Sequence, residues 1–194
     1  MLFPRRQFFI RERVSMLKLT DTYDILDPET KQSVGLAKDE PPAWAKFLRL
    51  LVKKPMLPTT IQVYEHEGAP PTLTLRKQPG LFHQTVTVFC RGHLVARFKS
   101  KVFALGGGFH VFDPAGNKVG EVKGDWKGWN FKLLDGAGHE LGVVTKKWAG
   151  IGKELFTTAD NYIVSLNETT PIETQAPVLL AAGLAVDIVY KEAA

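Results

Sequence analysis

Apolar and polar residues alternate along most of the chain, with the two-residue period of a β-strand that has one buried face. In the segment TVTVFC, Val86, Val88 and Cys90 share one face, and Thr85, Thr87 and Phe89 share the other. Turn residues separate such runs. The pattern predicts early and middle strands over Phe8–Arg13, Leu17–Leu26, Ser33–Ala37, Thr59–His66, Thr72–Lys77, Gln84–Cys90 and His93–Lys101.

A hairpin pattern occurs twice in the second half of the chain. Phe109–Val122 and Phe131–Val144 each contain a strand, a turn of the form Asp-x-x-Gly and a returning strand. Hairpin following hairpin gives an antiparallel meander of about a dozen strands, which ends at Asn161–Leu166. Closing such a meander into a barrel removes its exposed edges.

One long run, Pro177–Tyr190, is apolar without a polar stripe. Thr170, Pro171 and Glu173 have the spacing of a capping box, so a helix is predicted over about 171–190, roughly 30 Å long. A membrane span would need about 20 mostly apolar residues. Polar residues in the first turns and Asp187 near the far end argue against a span. A helix that is apolar on all sides is then expected to be enclosed by protein.

A second helical pattern, over about 43–54, is amphipathic. Trp44, Phe47, Leu48 and Leu51 follow helical spacing. The opposite side is basic and contains Lys46, Arg49 and Lys53, with Lys54 beside them. Such a helix suits an anionic membrane surface, with Trp44 at the headgroup level. The alternative is a helix that covers one barrel opening and exposes only its polar face.

The predicted fold is therefore mainly β (α+β): a closed antiparallel barrel of about 12 strands around a buried C-terminal helix. The length of 194 residues predicts one domain, 1–194, and we expect a monomer. A net charge of +5 favours anionic partners, either acidic lipid headgroups or nucleic acid. With one cysteine and no apolar leader at the N-terminus, we expect a cytoplasmic protein, peripheral at the membrane when bound.

Catalytic chemistry finds little support in the sequence. Cys90 and His93 are close in sequence, but they fit a strand residue and a turn residue, and no third group orients them. The five histidines lack paired metal-ligand spacing. The sequence predicts a non-enzymatic protein without a cofactor.

The segment Val144–Leu166, VTKKWAGIGKELFTTADNYIVSL, resembles the phospholipid scramblase family. The matching residues are Lys146, Trp148, Gly150, Lys153, Glu154, Phe156, Thr157 and the run Ala159–Tyr162, followed by a C-terminal helix with an aspartate, here Asp187. The wider superfamily contains the LURP-one-related proteins and the Tubby C-terminal domain. The resemblance implies a Tubby C-terminal-like barrel of 12 strands around a central helix.

Some relatives of the family have an acidic stretch that is proposed to bind calcium. The corresponding candidates here are only Asp160 and Glu168. Calcium takes about six to eight oxygen ligands, several from carboxylates, so calcium is not expected.

Tubby domains bind phosphoinositide headgroups through basic residues, and the resemblance implies the same partner class, acidic membrane phospholipids. A link to phospholipid scrambling also follows from the resemblance. A nucleic-acid-binding or transcription-related module and a protein-interaction scaffold are the alternatives. The candidate lipid-binding residues form three clusters: Lys46, Arg49, Lys53 and Lys54; Arg97, Lys99 and Lys101; and Lys146, Lys147 and Lys153.

Overall fold

The computed structural model describes residues 2–13, 20–48, 51–52, 56–80, 83–101, 106–125, 127–146 and 161–191. It contains twelve strands and two α-helices. The strands are β1 (Gln7–Glu12), β2 (Thr22–Leu26), β3 (Ser33–Asp39), β4 (Thr59–Tyr64), β5 (Leu73–Lys77), β6 (Thr85–Cys90), β7 (His93–Ser100), β8 (Gly108–Phe112), β9 (Lys118–Asp125), β10 (Asn130–Asp135), β11 (Glu140–Thr145) and β12 (Tyr162–Leu166). The helices are α1 (Ala43–Leu48) and α2 (Ile172–Val186), and a π-helical segment, Asp187–Lys191, continues α2.

Each strand pairs antiparallel with its sequence neighbours, and β1 pairs with β12 to close the barrel. Strand alternation determines which side chains face inward. In β4, Thr59, Ile61 and Val63 are buried, and the residues that alternate with them are half-buried. The predicted closed 12-strand antiparallel barrel with a C-terminal helix is confirmed.

Helix α2 fills the lumen of the barrel. A barrel of eight strands is just wide enough for its own side chains to fill, so twelve strands leave a wider space. Every residue from Leu179 to Val189 is buried, as expected for a helix that is apolar on all sides. The helix approaches the wall closely at Gly183, where a Cβ atom would lie 2.8 Å from Val164 Cγ2.

The start of α2 differs from the predicted capping box. Pro171 occupies the N-cap position and makes no side-chain cap hydrogen bond. The Thr170 hydroxyl instead donates to the Leu141 carbonyl oxygen at 2.9 Å. The capping prediction is wrong because the hydroxyl ties the β12–α2 connection to β11, although the helix itself begins close to the predicted residue.

A polar contact lies inside the barrel near the end of α2. The Tyr23 hydroxyl on β2 donates to Asp187, and both residues are buried, with 1% exposure each. Burial, and then the neighbouring Asp187 carboxylate, raises the pKa of Tyr23 well above its usual value. Close by, Tyr190 accepts from the Gly108 N–H at 2.6 Å and donates to the Gly108 carbonyl at 2.7 Å, which ties the π-helical segment to β8.

The two ends of the barrel are distinct. The odd-numbered strands finish at the end that contains α1, and we call it the α1 end. The even-numbered strands finish at the opposite end, where β12 leads into α2, and we call it the α2-start end.

Candidate functional site

The three predicted basic clusters reach the α1 end from three directions. Lys46 lies in the connection after β3, Lys101 directly follows β7, and Lys146 directly follows β11. These connections follow every fourth strand of twelve, so they are spaced evenly around the rim. Five further candidates lie outside the described residues: Arg49, Lys53, Lys54, Lys147 and Lys153.

The connection that contains α1 exposes large apolar side chains. Trp44 is 57% exposed, Leu48 37%, Leu51 84% and Met56 49%. Only Val119, at the α2-start end, joins these four among the exposed large hydrophobic residues that the structure describes. The exposed apolar surface is therefore concentrated in one connection at the α1 end.

Two buried residues anchor this connection to the barrel. Ala45 is fully buried and Leu57 is 4% exposed. The helix ends at Leu48 rather than continuing to residue 54, and the N–H groups of Leu51 and Val52 both bond to the Leu48 carbonyl in a turn. Trp44, Leu48, Leu51 and Met56 thus expose apolar surface, so this segment is not a cover that exposes only its polar face.

On β7 the predicted alternation holds, but the three cations differ in their partners. Arg97 Nη1 donates to the carbonyl oxygens of Asp113 and Pro114, at 3.3 and 3.2 Å. Lys99 is exposed, and its Nζ lies 4.6 Å from the centroid of the Phe112 ring. Lys101 Nζ forms a 2.6 Å ion pair with Glu121. Lys99 is therefore the most exposed cation of the three.

Sequence analysis missed two outward-facing lysines on the next strands. Lys123 on β9 pairs in register with Lys132 on β10, and both are exposed. The backbone of Lys101 bonds to Gly108, which pairs with Lys123, so Lys101, Lys123 and Lys132 form a row across the outer wall. Lys132 also forms a 2.7 Å ion pair with Glu140. The alternation with buried Val122 and Phe131 was the available signal.

The titration of neighbouring groups reflects this row. Burial lowers the pKa of His110, and the charges of Lys118 and Lys101 lower it further. The hydrogen bond from Lys101 holds the pKa of Glu121 below its usual value. At these two positions a neutral imidazole and an ionised carboxylate are therefore favoured.

Lys146 packs on an aromatic group rather than pointing freely away. Its Nζ lies 4.4 Å from the centroid of the Trp129 ring, and Trp129 stacks on Tyr162 with centroids 5.4 Å apart. Trp129 therefore caps the barrel interior at the α1 end. Trp126 and Trp148 lie outside the described residues.

The described residues contain no group of three or more His, Cys, Asp or Glu side chains placed to hold a metal ion. Of the two calcium candidates, Glu168 is exposed in the connection between β12 and α2, and Asp160 lies outside the described residues. In the described part of the chain, one helical stretch, Ile172–Tyr190, is long and apolar enough to cross a membrane, and 72% of it is buried within the barrel.

These features define a class of protein: a closed twelve-stranded barrel filled by its own helix, with a basic rim and an exposed apolar segment at one end. The family profile named Scramblase matches residues 94–193, just over half of the chain. The chain belongs to the phospholipid scramblase family, which confirms the resemblance found in the sequence. Neither a curated protein nor a solved structure matches the chain significantly.

Proposed function

We propose that this protein is a non-enzymatic, cytoplasmic lipid-binding module that docks its α1 end on membranes rich in anionic phospholipids, such as phosphoinositides. The observation that carries the proposal is the exposed apolar cluster of Trp44, Leu48, Leu51 and Met56 beside Lys46. Apolar side chains flanked by cations are what an interfacial segment needs, because the former enter the acyl boundary while the latter meet acidic headgroups.

The energies of the two contributions are comparable. Burial of one leucine-sized side chain stabilises by about 1.5–3 kcal/mol, and a lysine near an anionic surface by about 1 kcal/mol. We propose that the four exposed apolar residues and the neighbouring cations act together, because stable anchoring takes an apolar contribution combined with a basic patch. Lys46, Lys99 and Lys123 are exposed and are proposed to contribute, while the ion pairs with Glu121 and Glu140 reduce the shares of Lys101 and Lys132.

We propose binding, rather than lipid translocation, as the basic activity of the isolated chain. The stretch Ile172–Tyr190 has the length of a membrane span but lies inside the barrel. It would reach lipid only after the β1–β12 pairing or another seam opened, which breaks the backbone hydrogen bonds of that seam. Any role in scrambling would therefore require a further trigger.

The proposal is tested by flotation with neutral phosphatidylcholine vesicles and with vesicles that also contain phosphatidylserine or a phosphoinositide. We expect binding only to the acidic vesicles, with binding that persists in excess duplex DNA. Leu51→Ala should weaken it roughly tenfold or more, because about three methylene equivalents of buried surface are lost. Lys46→Glu should weaken it by a similar factor through the reversal of charge, and more strongly at low salt.

Two matched controls lie at the other end of the barrel. Val119 is an exposed apolar residue and Lys118 an exposed lysine. They are the first two residues of β9, at the α2-start end. Val119→Ala and Lys118→Glu should leave vesicle binding unchanged. The proposal is wrong if these controls weaken binding as much as Leu51→Ala and Lys46→Glu, or if the protein binds duplex DNA tightly and ignores vesicles.

A further inference from the structure

A cavity of about 620 Å³ opens at the α2-start end, between the first turns of α2 and the strands from β6 to β11. Its volume lies within the roughly 300–1,000 Å³ range of small-molecule sites. Every connection at this end is described, apart from Met1 at the chain start. The cavity is at the opposite end of the barrel from α1, so it is separate from the proposed membrane-docking surface.

The cavity exists because the barrel wall is still apolar at the level where the first turns of α2 are polar. The wall of the lumen continues to be apolar here, with Ala96, Val111 and Leu133 lining the space. The first turns of α2 are polar, and the unbroken buried part of the helix begins only at Leu179. The turns around Glu173 and Thr174 therefore do not fill the lumen, and an apolar slot remains beside Val178.

Acidic groups surround the opening of this slot. Asp113, Asp135 and Glu173 are among its lining residues, and no lysine or arginine is. Asp113 accepts from the Asn117 N–H at 2.8 Å, and Asp135 from the His139 N–H at 2.8 Å, so both carboxylates are fixed in turns. These bonds hold the pKa of each carboxyl below its usual value, Asp113 chiefly through the Asn117 side chain and Asp135 chiefly through the His139 backbone.

The basic groups near these carboxylates do not line the slot. Arg97 meets the Asp113 turn only at backbone carbonyl oxygens, and Lys118 lines a neighbouring surface cleft with Glu121 and Asp135. His139 Nδ1 lies 3.1 Å from Asp135 Oδ2 within the β10–β11 turn. An acidic head group at the opening would therefore face three carboxylates, whereas a cationic one would be attracted to them. The lining thus combines an apolar slot with a negative mouth.

We propose that this pocket binds the hydrocarbon chain of a single-chain amphiphile with a cationic head group, the chain lying beside Val178 and the head at the carboxylates of Asp113, Asp135 and Glu173. The site is independent of the membrane-docking function, because it lies at the other end of the barrel and takes its ligand as a dissolved monomer.

The test uses decyltrimethylammonium below its micelle-forming concentration, measured by calorimetry on the full chain. Octyltrimethylammonium, with the same head and two fewer methylenes, should bind about 15-fold more weakly if the chain is buried. Decanoate has an acidic head and one alkyl carbon fewer than decyltrimethylammonium. The missing carbon alone costs about fourfold, so decanoate should bind more than about fourfold more weakly. Cys90 is the chain's single cysteine and lines the cavity, so its reaction with a thiol reagent reports occupancy and should slow when the cationic probe is bound.

Two variants separate the contributions of the slot and the mouth. Val178→Phe fills the slot and should abolish both binding and the protection of Cys90, with thermal unfolding confirming that the barrel is intact. Glu173→Gln removes one exposed charge from the mouth and should weaken the cationic probe roughly threefold to fivefold while strengthening decanoate. Glu168→Gln, an exposed acid outside the cavity lining, should change neither.

The proposal is overturned if decanoate binds within about fourfold of decyltrimethylammonium, which is the difference that one methylene explains. It is also overturned if the probe leaves the reaction rate of Cys90 unchanged, or if Glu168→Gln and Glu173→Gln have equal effects. Vesicle flotation of Val178→Phe should remain as in the wild type, so failure of the pocket and failure of the membrane proposal give different results.

Discussion

Replacing Leu184 with alanine is expected to lower the free energy of unfolding by about 2–5 kcal/mol, which is a large part of the roughly 5–15 kcal/mol available to a typical domain. Leu184 is fully buried near the C-terminal end of α2, inside the barrel, so the missing volume is not expected to be filled by collapse of the wall. Denaturant unfolding followed by tryptophan fluorescence measures the change. A loss below about 1 kcal/mol would mean that the helix is not enclosed.

Leu51→Ala is the matched control for this variant. The same atoms are removed, but Leu51 is 84% exposed, so the free energy of unfolding should change by no more than about 0.5 kcal/mol. The two leucines therefore predict a double dissociation. Leu184→Ala should lose stability and keep vesicle binding per folded molecule, and Leu51→Ala should keep stability and lose vesicle binding.

The second large effect concerns the buried contact between Tyr23 and Asp187. Tyr23→Phe should lower the free energy of unfolding by about 1.5–3 kcal/mol at neutral pH, because a buried carboxylate loses a hydrogen-bond donor. Tyr64→Phe is the control, since the Tyr64 hydroxyl bonds near the surface to Gln62 at 2.7 Å and to Glu40 at 3.0 Å. An equal loss for both variants would contradict the assignment of the buried contact.

The same contact predicts a pH dependence. Burial, then Asp187, raises the pKa of Tyr23 above the value of 10.0 that applies to the unfolded chain. A raised pKa in the folded state gives stability that is full below pH 10 and is lost as pH rises further. Above that pH each such tyrosine should remove about 1.4 kcal/mol per pH unit, until its folded-state pKa is reached.

Alkaline unfolding followed by the ultraviolet absorbance of tyrosinate checks this dependence. In the wild type, Tyr23 should ionise together with unfolding rather than before it. Tyr190, whose pKa is also raised by burial against the lowering effect of its Gly108 bond, should leave part of the dependence in Tyr23→Phe. A wild-type protein in which all four tyrosines titrate near pH 10 while still folded would contradict the buried position of Tyr23.

The barrel and its central helix were accessible from the sequence because each has a strong local pattern. Alternation fixes which side of a strand faces inward, and the apolar run after Pro177 fits only an enclosed environment. The same alternation also specified the outward lysines on β9 and β10, which were overlooked because no cluster of basic residues in the sequence pointed to them.

Other features depended on distances that a linear pattern does not contain. The ion pair of Lys101 with Glu121 results from the barrel register, which brings the residue after β7 and a residue on β9 together across β8. Helical spacing around Trp44 and Leu51 indicated an apolar side, but not whether that side faces the barrel or the solvent. Ala45 and Leu57 are the residues buried against the barrel, and Trp44 and Leu51 are left exposed. The cavity beside Val178 is the part of the barrel lumen that α2 does not fill. It depends on the wall and the helix together, so no single sequence segment predicts it.

Closure of the barrel by β1 and β12 has a consequence for biosynthesis. When the first eleven strands have been synthesised, they form a sheet with two unpaired edges. Its apolar inner face is uncovered, because α2 is synthesised after all the strands. Open strand edges recruit other chains. The nascent protein should thus depend on chaperone holding until Val186 has emerged, and a message truncated before Ile172 should yield aggregate rather than a smaller working barrel.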